Sequence, residues 1–219
     1  VSKVLIGSPV RNRAWVLERH LQSLHQQAVH KQFRYILNDS EDHTEHILQE
    51  HRIPYLTYDL GKTYGHLRGQ YAYAHLAKLR NRLLEEFLLT DCDYLFSVDT
   101  DIIVPENSLE QLMHNDKDIC SMLIRNHPQI KAHNALIRGQ HVPGFSEGVI
   151  PVDLTGAVYL IKREVIEAGV RYADHASGED APFCEQAKSL GFELFVDTRL
   201  RPVHVYAEGV ELIAQLAAS

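Results

Sequence analysis

The 219-residue chain has three cysteines, Cys92, Cys120 and Cys184, and no C-x-x-C pair. An odd, dispersed set of thiols argues against a disulfide framework and against a cysteine-based zinc site. It suits a reducing, cytoplasmic compartment, with association at a membrane surface left open. Basic runs are also missing. With 22 Lys+Arg against 29 Asp+Glu the formal charge is −7, and no stretch of five basic residues occurs, so the electrostatic footprint of a nucleic-acid binder is not there. No apolar run approaches the roughly 18–20 residues of a membrane span. The chain opens on a strand pattern from Val4 rather than on a secretory leader. Glycine-rich phosphate loops are absent too. No G-x-G-x-x-G follows the first strand, which removes support for a dinucleotide fold. Gly61-Lys62-Thr63 ends like a P-loop, but the position of that motif's first glycine holds Leu56.

Histidine is the residue in excess, with 14 copies. Most read as surface residues. His43 and His46 lie three apart among acids near a helix start. His20, His25 and His30 are spaced by five and do not share a helical face. No H-E-x-x-H pair occurs.

Hydrophobic periodicity alternates between strand and helix along the chain. Strands are expected at residues 3–7, 33–37, 54–60 (edge-like), 94–98, 118–124, 154–161, 193–196 and 203–206. Helices are expected at 14–28, 44–49, about 67–88, 163–168, 181–190 and 208–217. A further helix begins at Ser108 with a capping box, Ser108-Leu-Glu-Gln111. Residues 125–148 read as turns with a hairpin near 135–137. The pattern implies one α/β domain whose first half carries a mostly parallel sheet and whose second half mixes in antiparallel strands. Ligands of open α/β sheets gather beyond the carboxyl ends of strands, which singles out the loops at 8–13, 38–42 and 99–101.

Three D-x-D triplets occur among 13 aspartates, where chance gives roughly 0.8. Two flank strands as caps or turns would. Asp99-Thr100-Asp101 alone directly follows a strongly apolar strand, YLFSV, and precedes another apolar run. Two carboxylates there can hold a hard cation such as Mg²⁺ or Mn²⁺. Gly178-Glu179-Asp180 precedes a helix with Pro in its first turn. Asp180 reads first as an N-cap, and beside that as a general base that takes a proton from a hydroxyl. His204, in an apolar segment, reads as a structural histidine or as a ligand that completes a Mn²⁺ site.

These residues, in this order, resemble the glycosyltransferase-A fold and its family-2-like nucleotide-sugar transferases. Five stretches carry the resemblance: Val4-Leu-Ile-Gly-Ser-Pro-Val-Arg-Asn-Arg, Leu37-Asn-Asp-Ser, Leu79-Arg80-Asn81 with Tyr94-Leu-Phe-Ser-Val-Asp-Thr-Asp, Leu154-Thr-Gly-Ala-Val-Tyr-Leu-Ile-Lys-Arg-Glu-Val, and Gly178-Glu-Asp followed at a distance by His204. The resemblance implies a central, mostly parallel sheet with flanking helices, with residues 1–104 as the nucleotide-binding half and 105–219 as the acceptor-binding half. It implies that Pro9 and Asp39 face the nucleotide base and that Arg80 lies near the nucleotide. Asp99 then approaches the ribose or metal, while Asp101 and His204 hold Mn²⁺ or Mg²⁺. Asp180 becomes the base of an inverting transfer, with Glu179 near the acceptor. The implied partners are a nucleotide-diphosphate sugar and a hydroxyl acceptor: glycan, lipid or small molecule. The loop after the second strand departs from the family's fuller Asp-Asp-Gly-Ser run. Cys184-Glu-Gln-Ala-Lys stands where processive synthases carry their Gln/Arg-x-x-Arg-Trp element. A sugar-phosphate nucleotidyltransferase and a non-catalytic nucleotide-binding relative are the alternatives on the same scaffold.

Overall fold

A computed structural model describes residues 2–61, 72–142 and 144–217. The chain begins as a βαβαβ unit: β1 (Lys3–Val10), α1 (Ala14–His25), β2 (His30–Leu37), α2 (Thr44–Glu50) and β3 (Tyr55–Thr57). Next come α3 (Tyr73–Leu88), β4 (Tyr94–Val98) and the short β5 (Ile102–Ile103). The second half holds α4 (Ser108–His114), β6 (Ile119–Met122), β7 (Ala135–Leu136), β8 (Val149–Pro151), β9 (Leu154–Thr155), β10 (Val158–Lys162), α5 (Arg163–Glu167), α6 (Asp180–Ser189), β11 (Leu194–Asp197), β12 (Val203–Ala207) and β13 (Val210–Leu212).

Eight strands form the central sheet in the order β3-β2-β1-β4-β10-β6-β11-β8. The β3, β2, β1 and β4 ladders are parallel, and β10 runs antiparallel to both β4 and β6. Its strands read as continuous apolar runs because both faces are covered. Along β1, Leu5 packs with α3 residues on one face, while Val4 and Ile6 pack with Leu109 and Leu112 of α4 on the other. In β10, Tyr159 and Ile161 face the first layer and Val158 and Leu160 the second. The fold has a switch point between β1 and β4, where the chain turns from building one wing of the sheet to building the other. The loops that follow these two strands therefore open a crevice at their carboxyl ends.

Several elements differ from the sequence reading. The stretch 154–161 is two strands, because Ala157 adopts φ 65° and Gly156 a tight turn between them. The hairpin expected near 135–137 is a tight turn closed by reciprocal backbone bonds between Ile137 and Gln140, and β7 pairs beyond it with β9. The capping box at Ser108 does not form: Asn107, at φ 60°, is the N-cap, Ser108 donates to the Pro105 carbonyl and Gln111 donates to Asp197. The expected C-terminal helix over 208–217 does not form: Val210–Leu212 is a strand and 213–217 are irregular. Gly209 at φ 75° turns the chain, and β13 returns along β12, which offers backbone partners that an isolated helix would have to supply itself. Of the long helix expected over 67–88, residues 73–88 are helical, and 67–71 lie outside the described residues.

Candidate active site

A cavity of about 420 Å³ lies at the switch point, lined among others by Pro9, Arg11, Arg13, Asn38, Arg80, Asp99, Asp101, Glu179, Asp180 and His204. Seven of the eight residues singled out from the sequence therefore share one cavity. Asp39 does not line it; its neighbour Asn38 does. Asp39 sits at φ 38° with its carboxylate accepting from Asn38 and from the Leu60 backbone N–H, so it shapes the loop after β2.

One wall is built by backbone pairing. β12 runs antiparallel to β5 with His204 opposite Ile102, and the Val205 N–H donates to the Asp101 carbonyl at 2.8 Å. This pairing carries His204 across about 100 residues of sequence to Asp101, leaving His204 Nε2 4.0 Å from Asp101 Oδ2. His204 Nδ1 lies 2.7 Å from the Arg125 carbonyl oxygen. A carbonyl only accepts, so the ring proton sits on Nδ1, and a neutral ring turns its Nε2 lone pair toward Asp101. A backbone carbonyl fixing the tautomer of a metal-binding histidine is a recurrent arrangement. The donor set, one carboxylate and one imidazole, suits Mn²⁺ and also accommodates Mg²⁺. Among the described residues no group of three or more His, Cys, Asp or Glu is arranged to hold a metal.

A second wall is built by buried side chains. Arg80 lies on the apolar stripe of α3, in register with Ala77, Leu83, Leu84 and Phe87, and is 5% exposed. A buried guanidinium needs partners. Its Nε donates to Glu179 Oε1 at 2.7 Å and its Nη2 to Asp99 Oδ1 at 2.8 Å. Nη1 lies 3.4 Å from Ser97 Oγ. Burial would lower the Arg80 pKa, but Asp99, Asp180 and Glu179 outweigh it and hold the group charged.

Asp180 is the first residue of α6, and Glu179 occupies the N-cap position without a side-chain capping bond. The capping reading of Asp180 is thus not realised. Its carboxylate turns inward, where Oδ1 accepts from the Tyr159 hydroxyl at 2.8 Å. Gly156 makes room for it, since a Cβ there would stand 2.0 Å from Asp180 Oδ2. Burial pushes the Asp180 pKa up to about 7, with Glu179 and Asp99 adding repulsion and Arg80 and the Tyr159 hydrogen bond opposing. Burial also raises Asp99, against the pull of Arg80.

The sequence reading passed over Tyr159, Tyr172 and Gly156. A signal existed for Tyr159: a tyrosine inside a strand covered on both faces needs a partner for its hydroxyl. Tyr172, in an irregular stretch, gave none.

The strand order and the crevice at its switch point define an α/β domain with the glycosyltransferase-A fold. No family model matches the sequence, and no curated protein matches it. Solved structures share the fold. A197 from STIV superposes with TM-score 0.61 at 17% identity, over 99% of this chain and 97% of that one. The 1–349 portion of S. aureus TarS, in complex with UDP-GlcNAc, superposes with TM-score 0.61 at 16% identity, over 99% of this chain. The mannosyltransferase PcManGT from Pyrobaculum calidifontis, in complex with GDP-Man and Mn²⁺, gives 0.55 at 15% identity, over 89% of this chain. The chain spans 59% of the TarS chain and 56% of the mannosyltransferase.

Proposed function

We propose that the protein is a metal-dependent glycosyltransferase, moving a sugar from a nucleotide-diphosphate sugar to an acceptor hydroxyl with inversion. The observation that carries this reading is the meeting of a carboxylate–imidazole pair and a carboxyl group poised near neutrality in one crevice at the β1/β4 switch point. Residues 1–104 supply the donor side through Pro9, Asn38 with its neighbour Asp39, and Asp99, which approaches the ribose or the metal. Residues 105–219 supply the acceptor side, with Glu179 near the acceptor.

Asp101 and His204 would hold Mn²⁺ or Mg²⁺, and the remaining coordination positions suit diphosphate oxygens and water. The cation, when bound, supplies Lewis-acid stabilisation of the departing diphosphate. Arg11 and Arg13 add fixed positive charge along the same cavity, which a polyanionic donor needs on a chain of net charge −7. Charges aimed at the leaving group favour the transition state over the ground state. Asp180 takes the acceptor's proton. A base with its pKa near 7 balances availability against basicity at neutral pH. Arg80 keeps Glu179 and Asp99 in place around it.

The test is a thermal-shift panel of UDP, GDP, CDP and their sugars, with and without Mn²⁺. A diphosphate that binds raises the melting temperature by mass action, and the rise should depend on the metal. No shift with any of them would sink the proposal. Pyrophosphate-dependent exchange with a sugar phosphate, in place of transfer to a hydroxyl, would instead assign nucleotidyl transfer.

A further inference from the structure

Asp180 does not stand alone in its wall. Tyr159 of β10 reaches it from the sheet, and its hydroxyl donates to Asp180 Oδ1 at 2.8 Å. The same Tyr159 oxygen lies 2.5 Å from the hydroxyl of Tyr172, in the segment after α5. Because Tyr159 gives its one proton to Asp180, Tyr172 must be the donor in that second bond. The result is a directional chain, Tyr172 to Tyr159 to Asp180. Both rings are buried, at 4% and 1% exposure. Burial pushes both phenols upward in pKa, so both stay protonated donors across the working pH range.

The chain is itself held. Tyr172 exchanges two backbone hydrogen bonds with the side chain of Asn81, on α3 beside Arg80. Its ring stacks on Phe183 of α6 at 4.3 Å between centroids. Arg80 lies 5.7 Å over the same ring. Two helices, α3 and α6, thus fix where the Tyr172 hydroxyl points, and through Tyr159 they fix one oxygen of Asp180. The other oxygen rests above Gly156.

We propose that Tyr159 and Tyr172 are positioning residues for Asp180: a two-hydroxyl chain that aims the carboxylate and supplies its hydrogen bond from the protein core. The proposal deepens the transferase reading and rests on it for the role of Asp180. Two physical consequences follow. A donor directed at a carboxylate favours its charged form, and a second donor behind the first strengthens it. A carboxylate with one oxygen pinned has one direction left for proton capture, which is the condition for efficient general-base catalysis. The groups that act on Asp180 come from every element around it. They are Arg80 from α3, Asp99 after β4, Tyr159 from β10, Tyr172 after α5, the adjacent Glu179, and Cys184 one turn along α6. Of these, the tyrosines alone act by a hydrogen bond that a single-atom change removes.

Tyr159→Phe and Tyr172→Phe each delete an oxygen and keep the ring, so the packing survives. The first measurement needs no substrate: titration of the Asp180 carboxyl by ¹³C NMR in the otherwise unchanged protein, assigned with Asp180→Asn. Tyr159→Phe should raise its proton affinity about tenfold, and Tyr172→Phe should raise it less, in the same direction. An Asp180 titration unmoved by Tyr159→Phe overturns the proposal whether or not the protein is a transferase. The second measurement is transfer rate against pH. In Tyr159→Phe the acidic limb should move upward and kcat should fall about tenfold at pH 7, with KM for the donor unchanged and partial recovery at pH 9. An equal loss at every pH, or a loss confined to donor KM, makes Tyr159 a packing residue and overturns the proposal. If the carboxyl titration shifts while no donor supports transfer, the hydroxyl chain stands and the transferase reading is what fails.

Discussion

The two walls of the cavity are built by different means. Asp101 and His204 are brought together by main-chain pairing between β5 and β12, and the imidazole is oriented by a backbone carbonyl. Asp180, Glu179, Asp99 and Arg80 are brought together by side chains, each depending on the next, as three carboxylates around one buried guanidinium. A wall made of backbone tolerates loss of a side chain, because the strand pairing does not depend on it. A wall made of buried charges does not, because each group is the counter-charge of another. The difference yields an order of effects. Asp180→Asn should lower kcat by about 1,000-fold, the scale of a lost general base, while Mn²⁺-dependent diphosphate binding stays within a few-fold. A parallel collapse of diphosphate binding would show that the walls are not separable.

Arg80→Met comes next. It leaves Glu179 and Asp99 buried without their counter-charge, a loss of about 3–5 kcal/mol on the scale of a broken buried ion pair. Chemical denaturation should show a lower midpoint, and Arg80→Lys should recover only part of it, since an ammonium cannot reproduce the two-directional fork. A midpoint within error of wild type would mean that the base wall is held by packing instead. Asp101→Ala should do the reverse. Stability should change little, while Mn²⁺-dependent diphosphate affinity, read by calorimetry, should drop by about 100-fold or less. Unchanged metal dependence would remove Asp101 and His204 from the metal role.

The contrast also decides what could be read from the sequence. The first half of the chain was legible because apolar runs buried on both faces, such as VLIG and YLFSV, announce parallel strands, and the loops after such strands are where ligands collect. Asp99, Asp101 and Asp180 stood out as acids beside strong elements. The long-range partners did not. Nothing local to His204 says that β12 will pair with β5, since register between strands about 100 residues apart is set by the whole sheet. Gly156 looked like one residue inside a continuous strand, LTGAVYLI, and not like the seat of a carboxylate. The terminal segment has helical composition, yet Gly209 and the free edge of β12 make a hairpin the better way to satisfy its backbone. Asp180 could be read as a cap because its residue type allows it. Only the depth of the Tyr159 hydroxyl shows where the carboxylate goes.

The smallest expected effect separates electrostatic cost from catalytic use. Asp180 carries a pKa raised from the ordinary 3.8 to about 7 by burial. Between these values the folded protein keeps a proton that the unfolded chain has released. Stability with respect to this group therefore falls as pH rises through the window, and the cost is complete above about pH 7. Asp180→Asn has no such proton. Its melting temperature should match wild type closely only below about pH 4, where Asp180 is neutral folded and unfolded, lead it modestly at pH 5, and exceed it by a few degrees at pH 8, where wild type must hold a buried charge. The Asp99 contribution has the same sign, and because Asp99 repels Asp180 the difference reads Asp180 together with its hold on Asp99. A difference that stays flat from pH 5 to 8 would mean that Asp180 titrates as an ordinary surface carboxylate, and the two walls would lose their distinction. A difference that grows with pH, in a variant that has lost turnover, would show the same carboxylate destabilising the fold and driving the reaction, as expected where activity is obtained at the expense of stability.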